Sequence, residues 1–159
     1  MAGNATSSTL KPNASDLKIA IVSSRFNPEV TGGLVRGAFE ALRECGAAME
    51  SITHIEVPGA FEIPLSLEIL ASSGEFDALI ALGAVIKGET AHFEYISEGA
   101  MRGISEVMLA NAIPIGCGVL TTYSEEQAIA RSRDDEHNKG REAALAAIEM
   151  ANFQKLWSK

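Results

Sequence analysis

The sequence predicts an α/β sandwich: one parallel sheet with helices packed on both faces. Three observations lead there. Four short apolar runs alternate with longer stretches of helical period. Most of these runs empty into a small cluster of Gly, Pro, Ser, Thr or Asn before the next helix starts. The chain has 159 residues, 47% of them hydrophobic, and no repeat or linker after residue 16, which suits a single domain with one substantial core. Strands separated by long helices cannot pair as hairpins, so they pair in parallel and need cover on both sides.

Residues 1–16 are rich in Ser, Thr, Asn and Ala and lack the basic start and apolar stretch of a signal peptide. They are expected to form a flexible N-terminal arm, leaving 17–159 as the domain. Lys18 to Ser23 is the first strand. Pro28 to Glu44 follows as a helix, with proline in its first turn and Val30, Leu34, Val35, Ala38, Leu42 and Cys45 on one face; Gly46 supplies the stop. Ser51 to Val57 is the second strand. Phe61 to Ser72 is the second helix, with Ile63, Leu67 and Leu70 in register and Pro64 tolerated where amides have no helical partner. Asp77 to Ala84 is the third strand. Thr90 is expected to cap a helix from Ala91 to Asn111, whose inner face carries Phe93, Ile96, Ala100, Ile104, Val107 and Met108. Pro114 to Thr121 is the fourth strand, and Cys117 is expected to be a buried thiol within it. Ser124 caps a short helix to about Arg133, and an alanine-rich helix runs from His137 to about Leu156.

Right-handed crossovers turn this order into a doubly wound, flavodoxin-like three-layer sandwich around a four-stranded sheet, in which ligands bind beyond the carboxyl ends of the strands. Those ends are Ser24 to Asn27, Pro58 to Glu62, Ala84 to His92, and Thr121 with Thr122. The chemistry-bearing residues converge on that edge. The third end, Gly83 to Glu94, joins a glycine-bearing turn to a helix start, which presents free amides and a positive dipole end to an anion such as phosphate. His92 stands at its mouth, and histidine is the side chain best matched to proton transfer near neutral pH.

Each candidate also has a plainer reading. Phe26 suits stacking on a planar heterocycle or ordinary packing on a helix. Glu62 suits ligand hydroxyl groups or the helix dipole. Arg131 and Lys139 suit an anion or a solvated charged segment with Arg133, Asp134, Asp135, Glu136 and Arg141. His54 and His137 read as structural. A net charge of −8 argues against nucleic acid as a partner, and no apolar run reaches the ~20 residues of a membrane span. The two cysteines, Cys45 and Cys117, have neither metal nor redox spacing, as expected of reduced thiols in a cytoplasmic protein. There is no P-loop, dinucleotide fingerprint, zinc spacing or nucleophile elbow.

Six segments together resemble the lumazine synthase family: Ser24–Asn27, Val57–Pro64, Ala81–Tyr95, Gly118–Thr122, Glu125–Ala128 and Asn138–Gly140, in order across about Lys18 to Phe153. The resemblance implies condensation of 5-amino-6-(D-ribitylamino)uracil with 3,4-dihydroxy-2-butanone 4-phosphate, the penultimate step of riboflavin biosynthesis, without cofactor or metal. It implies that Phe26 stacks on the pyrimidine with Asn27 beside it. Ala60, Phe61 and Glu62 would line the pyrimidine and ribityl pocket, and Ala84, Val85 and Ile86 would meet the pyrimidine through backbone. Glu89 and Thr90 would bound the phosphate, Arg131 would pair with it, Lys139 would approach the pyrimidine, and His92 would carry protons. It further implies sites between adjacent subunits, with Cys117, Arg131 and Lys139 contributed by the neighbour of the chain bearing His92.

Two positions depart from the family pattern. Cys117 stands where phenylalanine is common, and Ser132 to His137 replaces an often glycine-containing segment that bears on how pentamers associate. The resemblance implies a homopentamer at least; an icosahedral shell is favoured because the helix connection has no evident insertion, and a packaged riboflavin synthase is an open association. Three other readings stand beside the enzyme: a flavin- or lumazine-binding protein without turnover, a shell protein with a vestigial site, and a riboflavin synthase of the archaeal type.

Overall fold

In the computed structural model, which describes residues 11–158, four strands pair entirely in parallel in the order β2-β1-β3-β4. They are β1 (Ile19–Ser24), β2 (Ile52–Val57), β3 (Ala78–Ile86) and β4 (Ile115–Thr122). The helices are α1 (Pro28–Glu44), α2 (Ile63–Ser73), α3 (His92–Asn111), α4 (Glu125–Ala130) and α5 (Lys139–Trp157). The expected three-layer α/β architecture is present.

The two central strands explain why their sequences read as unbroken apolar runs: both faces are covered. Alternation along β1 and β3 divides the interior. Ile19, Ile21, Ile80 and Leu82 pack with Leu34 and Leu42 of α1 and Ala144 and Ile148 of α5. Ala20, Val22, Leu79 and Ala81 pack with Ile63 and Leu67 of α2 and Ala100 and Ile104 of α3. Each fully buried Leu or Ile contributes about 1.5–3 kcal/mol. The edge strand β2 has cover on fewer sides, and Thr53, His54 and Glu56 are exposed.

Helix ends differ from the expected ones for local reasons. Gly46 and Gly74 stop α1 and α2 at φ +83° and +71°, as a left-handed closing residue requires. The second helix opens as a 3-10 turn over Ala60–Glu62 before α2 proper, with Pro64 in its first turn. β3 continues two residues past Ala84, because Val85 and Ile86 pair with Thr121 and Thr122. The cap expected from Thr90 falls elsewhere: Ala91 occupies the cap position without a side-chain bond, and the Thr90 hydroxyl accepts from the His92 amide at 3.4 Å. α4 ends at Ala130, short of Arg133. α5 opens at Lys139, not His137, because the Asn138 side chain accepts from the Gly140 and Arg141 amides.

Of the arm expected over 1–16, residues 1–10 lie outside the described residues. Residues 11–16 run along the domain. Ala14 is fully buried, its amide donates to Cys45 at 2.9 Å, and the Asn152 side chain donates to Asn13 at 2.8 Å. Cys117 is also placed differently from expectation: it is exposed, because β4 is an edge strand and α3 leaves part of its face open.

Candidate active site

Three strand ends are tied together at the carboxyl edge of the sheet. After β1, Asn27 adopts a left-handed conformation (φ 56°) that turns the chain into α1. Its side-chain nitrogen donates to the Ala84 carbonyl of β3 at 3.1 Å. After β2, Gly59 lies against the Phe26 ring: a Cβ there would stand 2.9 Å from a ring carbon, so a larger residue would displace the ring from this seat. Glu62 closes the corner, one carboxylate oxygen accepting from the Gly59 amide at 2.9 Å and the other free of that contact. Phe26, Asn27, Gly59, Glu62 and Ala84 thus form one floor, with Ala60 buried beside them.

The aromatic faces above this floor are open. Phe26 and Phe61 are 67% and 59% exposed, a costly arrangement for large apolar rings unless something covers them. Phe61 also lies over Gly99 of α3. The third strand end runs from the half-buried Val85 and Ile86 into Glu89, Thr90 and His92, all exposed. Lys87 braces this junction. Its amide donates to the Thr122 carbonyl at 2.9 Å, its ammonium lies 3.2 Å from Glu94, and it sits 5.6 Å from the Tyr123 ring centre. The Glu94 carboxyl is held below its usual range by its own helix-terminal amide and then by Lys87. Sequence reading did not single out Lys87 or Tyr123, although Lys87 and Glu94 both fall in the stretch it valued most.

Arg131 and Lys139 belong to the other helical layer. They flank the α4–α5 connection, and the Lys139 amide donates to the Arg131 carbonyl at 2.9 Å. Within one subunit they are joined to each other, while His92 opens a helix on the opposite face of the sheet. Cys117 lies with α3: its sulfur is 3.6 Å from Met101 Sδ, and although the residue is open to solvent on one side, the strand and helix crowded around its sulfur push the thiol above its usual range, which disfavours a thiolate. A separate groove of about 790 Å3 lies between α1 and the α4–α5 connection, away from the strand ends. Its Arg36, Arg43 and Arg141 are each paired with a carboxylate, of Asp134, Glu40 and Glu44, so it offers no unpaired arginine to an anion. Among the described residues no group of three His, Cys, Asp or Glu is placed to hold a metal, and no helix is long and apolar enough to cross a membrane.

The sequence profile of the family described as 6,7-dimethyl-8-ribityllumazine synthase matches residues 16–155. The chain belongs to that family. It is 53% identical over 131 residues to 6,7-dimethyl-8-ribityllumazine synthase 1 of Caulobacter vibrioides, covering 82% of this chain and 86% of the relative. It is 50% identical over 143 residues to 6,7-dimethyl-8-ribityllumazine synthase of Nitrosospira multiformis, covering 90% and 87%. The lumazine synthase match spans every strand end described above, so the expected family is borne out over the whole edge and not at one motif.

Proposed function

We propose that the protein is a transferase that condenses 5-amino-6-(D-ribitylamino)uracil with 3,4-dihydroxy-2-butanone 4-phosphate to 6,7-dimethyl-8-ribityllumazine, releasing phosphate and water. The observation that carries this at the site is the tied floor: Phe26 seated on Gly59, Glu62 held by the Gly59 amide, and Asn27 bound to Ala84. An exposed ring above a carboxylate suits a flat heterocycle with a polyol tail. Phe26 stacks on the pyrimidine, and the free oxygen of Glu62 accepts from ribityl hydroxyls. The Asn27 nitrogen gives one of its two N–H groups to Ala84, so its second N–H and its carbonyl oxygen are the groups left for the substrate.

The amine of the pyrimidine attacks the ketone, water leaves to give an imine, phosphate is eliminated, and the second amine closes the ring with loss of water. No electrons are transferred, so the needs are proton movement, phosphate binding and alignment. His92 moves the protons, Arg131 pairs with the phosphate as a bidentate fork beside the amides of Glu89 and Thr90, and Lys139 faces the pyrimidine. Much of the acceleration comes from holding two substrates in attack geometry.

The site is completed by a second copy. Arg131 and Lys139 lie in the layer opposite His92, which favours their supply by a neighbouring chain; for Cys117, which lies with α3, the same assignment rests on the family resemblance alone. Apolar side chains left open on α2 and α3, among them Leu65, Ile69, Tyr95 and Leu109, give that neighbour a surface to cover. A homopentamer is the minimal assembly, with a shell and a riboflavin synthase guest as larger options, in the cytoplasm. Purified protein mixed with both substrates should form fluorescent lumazine far faster than a no-enzyme blank. A rate equal to the blank from folded, oligomeric protein overturns the enzyme and leaves the binding or shell readings; riboflavin formed from lumazine would favour the archaeal-type alternative.

A further inference from the structure

The α4–α5 connection holds a buried amide whose bonding exceeds what a helix cap needs. Asn138 is 1% exposed, and its side chain makes four hydrogen bonds, the full capacity of an amide. Its oxygen accepts from the Gly140 and Arg141 amides at 2.9 and 3.0 Å, which caps α5. Its nitrogen donates to the Gly33 carbonyl of α1 at 3.0 Å and to the Arg133 carbonyl at 2.8 Å. Asp or Ser caps a helix as well as Asn does, and neither carries the two donors. The donor half therefore has a separate consequence: it clips the connection to α1 and to itself.

The seat for this clip is cut to backbone dimensions. A Cβ at Gly37 would stand 2.1 Å from Asn138 Oδ1, and one at Gly33 would stand 2.2 Å from the Ser132 carbonyl oxygen. At the base, the Lys139 amide closes onto the Arg131 carbonyl at 2.9 Å. Between these fixed points, Arg133 to His137 are all exposed. The backbone that carries Arg131 and Lys139 is thus held at both ends of the loop by Asn138, its glycine seat and the Lys139–Arg131 bond.

We propose that Asn138 is a positioning residue, setting the backbone spacing from which Arg131 and Lys139 reach their substrates once their side chains leave the Gln127 carbonyl (3.0 Å) and the Glu142 carboxylate (2.7 Å); this rests on the roles given to those two residues under the proposed function. Asn138→Asp is the test. It is isosteric and keeps the cap, but turns the two donors into an oxygen facing two carbonyls. KM for both substrates should rise on the order of tenfold, with kcat changing less because His92 sits on another element. A merely structural role would lower the active fraction, hence apparent kcat, and leave KM alone. In the same variant, exchange of the Lys139 amide should accelerate on the order of tenfold relative to Ala147 and Ile148 in the α5 core. Unchanged KM in folded variant, or an unchanged Lys139 exchange rate, overturns the proposal. Should wild type fail to turn over, the enzymatic reading falls by itself, and the exchange measurement still decides whether Asn138 holds the loop. If Asn138→Asp does not fold, Asn138→Ser keeps a cap without burying a carboxylate and is read the same way.

Discussion

The β3–α3 junction and the α4–α5 junction both end at residues expected to touch substrate, yet they are built in opposite ways. The first is open: Glu89, Thr90 and His92 are exposed, the helix has no side-chain cap, and the Lys87–Glu94 pair is itself half in water. The second is clamped: Asn138 is buried with four bonds, Gly37 leaves room for its side chain, and Gly33 and Gly140 admit the Ser132 and Leu34 backbone where a Cβ would collide. The contrast separates two demands. On the proposed function His92 is a proton carrier, and its exposed position suits exchange with solvent and substrate. On the same reading, Arg131 and Lys139 serve another subunit, and the backbone of their loop is fixed from within.

Four substitutions would break or sharpen that contrast. His92→Gln should lower kcat on the order of 10²–10⁴-fold while stability stays within about 0.5 kcal/mol, because the side chain is exposed. Normal turnover would remove His92 from the chemistry, and a large fall in melting temperature would show the open junction to be structural after all. Gly140→Ala should do the reverse. Its Cβ would meet the Leu34 carbonyl oxygen at 2.0 Å, so denaturant unfolding should register a loss of about 3 kcal/mol. Unchanged stability would mean that α1 and α5 can slide, and the clamp would not exist.

Phe26→Ala removes the exposed ring from the tied floor. KM for the pyrimidine should rise roughly threefold to tenfold, the range that ~0.5–1.5 kcal/mol of stacking allows, with unfolding little changed. An unaltered KM would assign the ring to subunit packing. The smallest effect belongs to Glu44→Gln, beneath the clamped layer. Arg141 bonds to Glu44 at 2.6 Å and lowers its carboxyl pKa. A lowered folded-state pKa stabilises the fold above the ordinary glutamate range and loses that contribution as pH falls through the folded value. Both groups are partly solvated, so wild type should exceed the variant by under about 1 kcal/mol at pH 7, and the two should converge as acid carries the pH below the folded value, itself under the ordinary glutamate range. A difference that persisted in acid would point to packing and not charge.

The site was legible in proportion to how local it is. The strand ends at Ser24–Asn27, Pro58–Glu62 and Gly83–His92 could be read from apolar runs stopping at turn residues, and a parallel sheet brings such ends to one edge by construction. Lys87 went unremarked, because its link to Tyr123 depends on β4 lying beside β3. Asn138 was visible only as part of a short motif; its donors serve Gly33, 105 residues away, and no spacing rule reaches that far.

By itself, then, the sequence determined the alternation of strands and helices, the parallel sheet and the edge on which the candidate site residues of three strand ends converge. These follow from side-chain period and from the conformational limits of glycine and proline, which act within a few residues. Only the tertiary structure decided that Cys117 is exposed, that residues 11–16 lie along the domain, and that Arg131 and Lys139 share one clamped loop in the layer opposite His92. Those outcomes depend on which strand ends at an edge and on how closely two distant backbones can pack, quantities set jointly by segments that no local pattern relates.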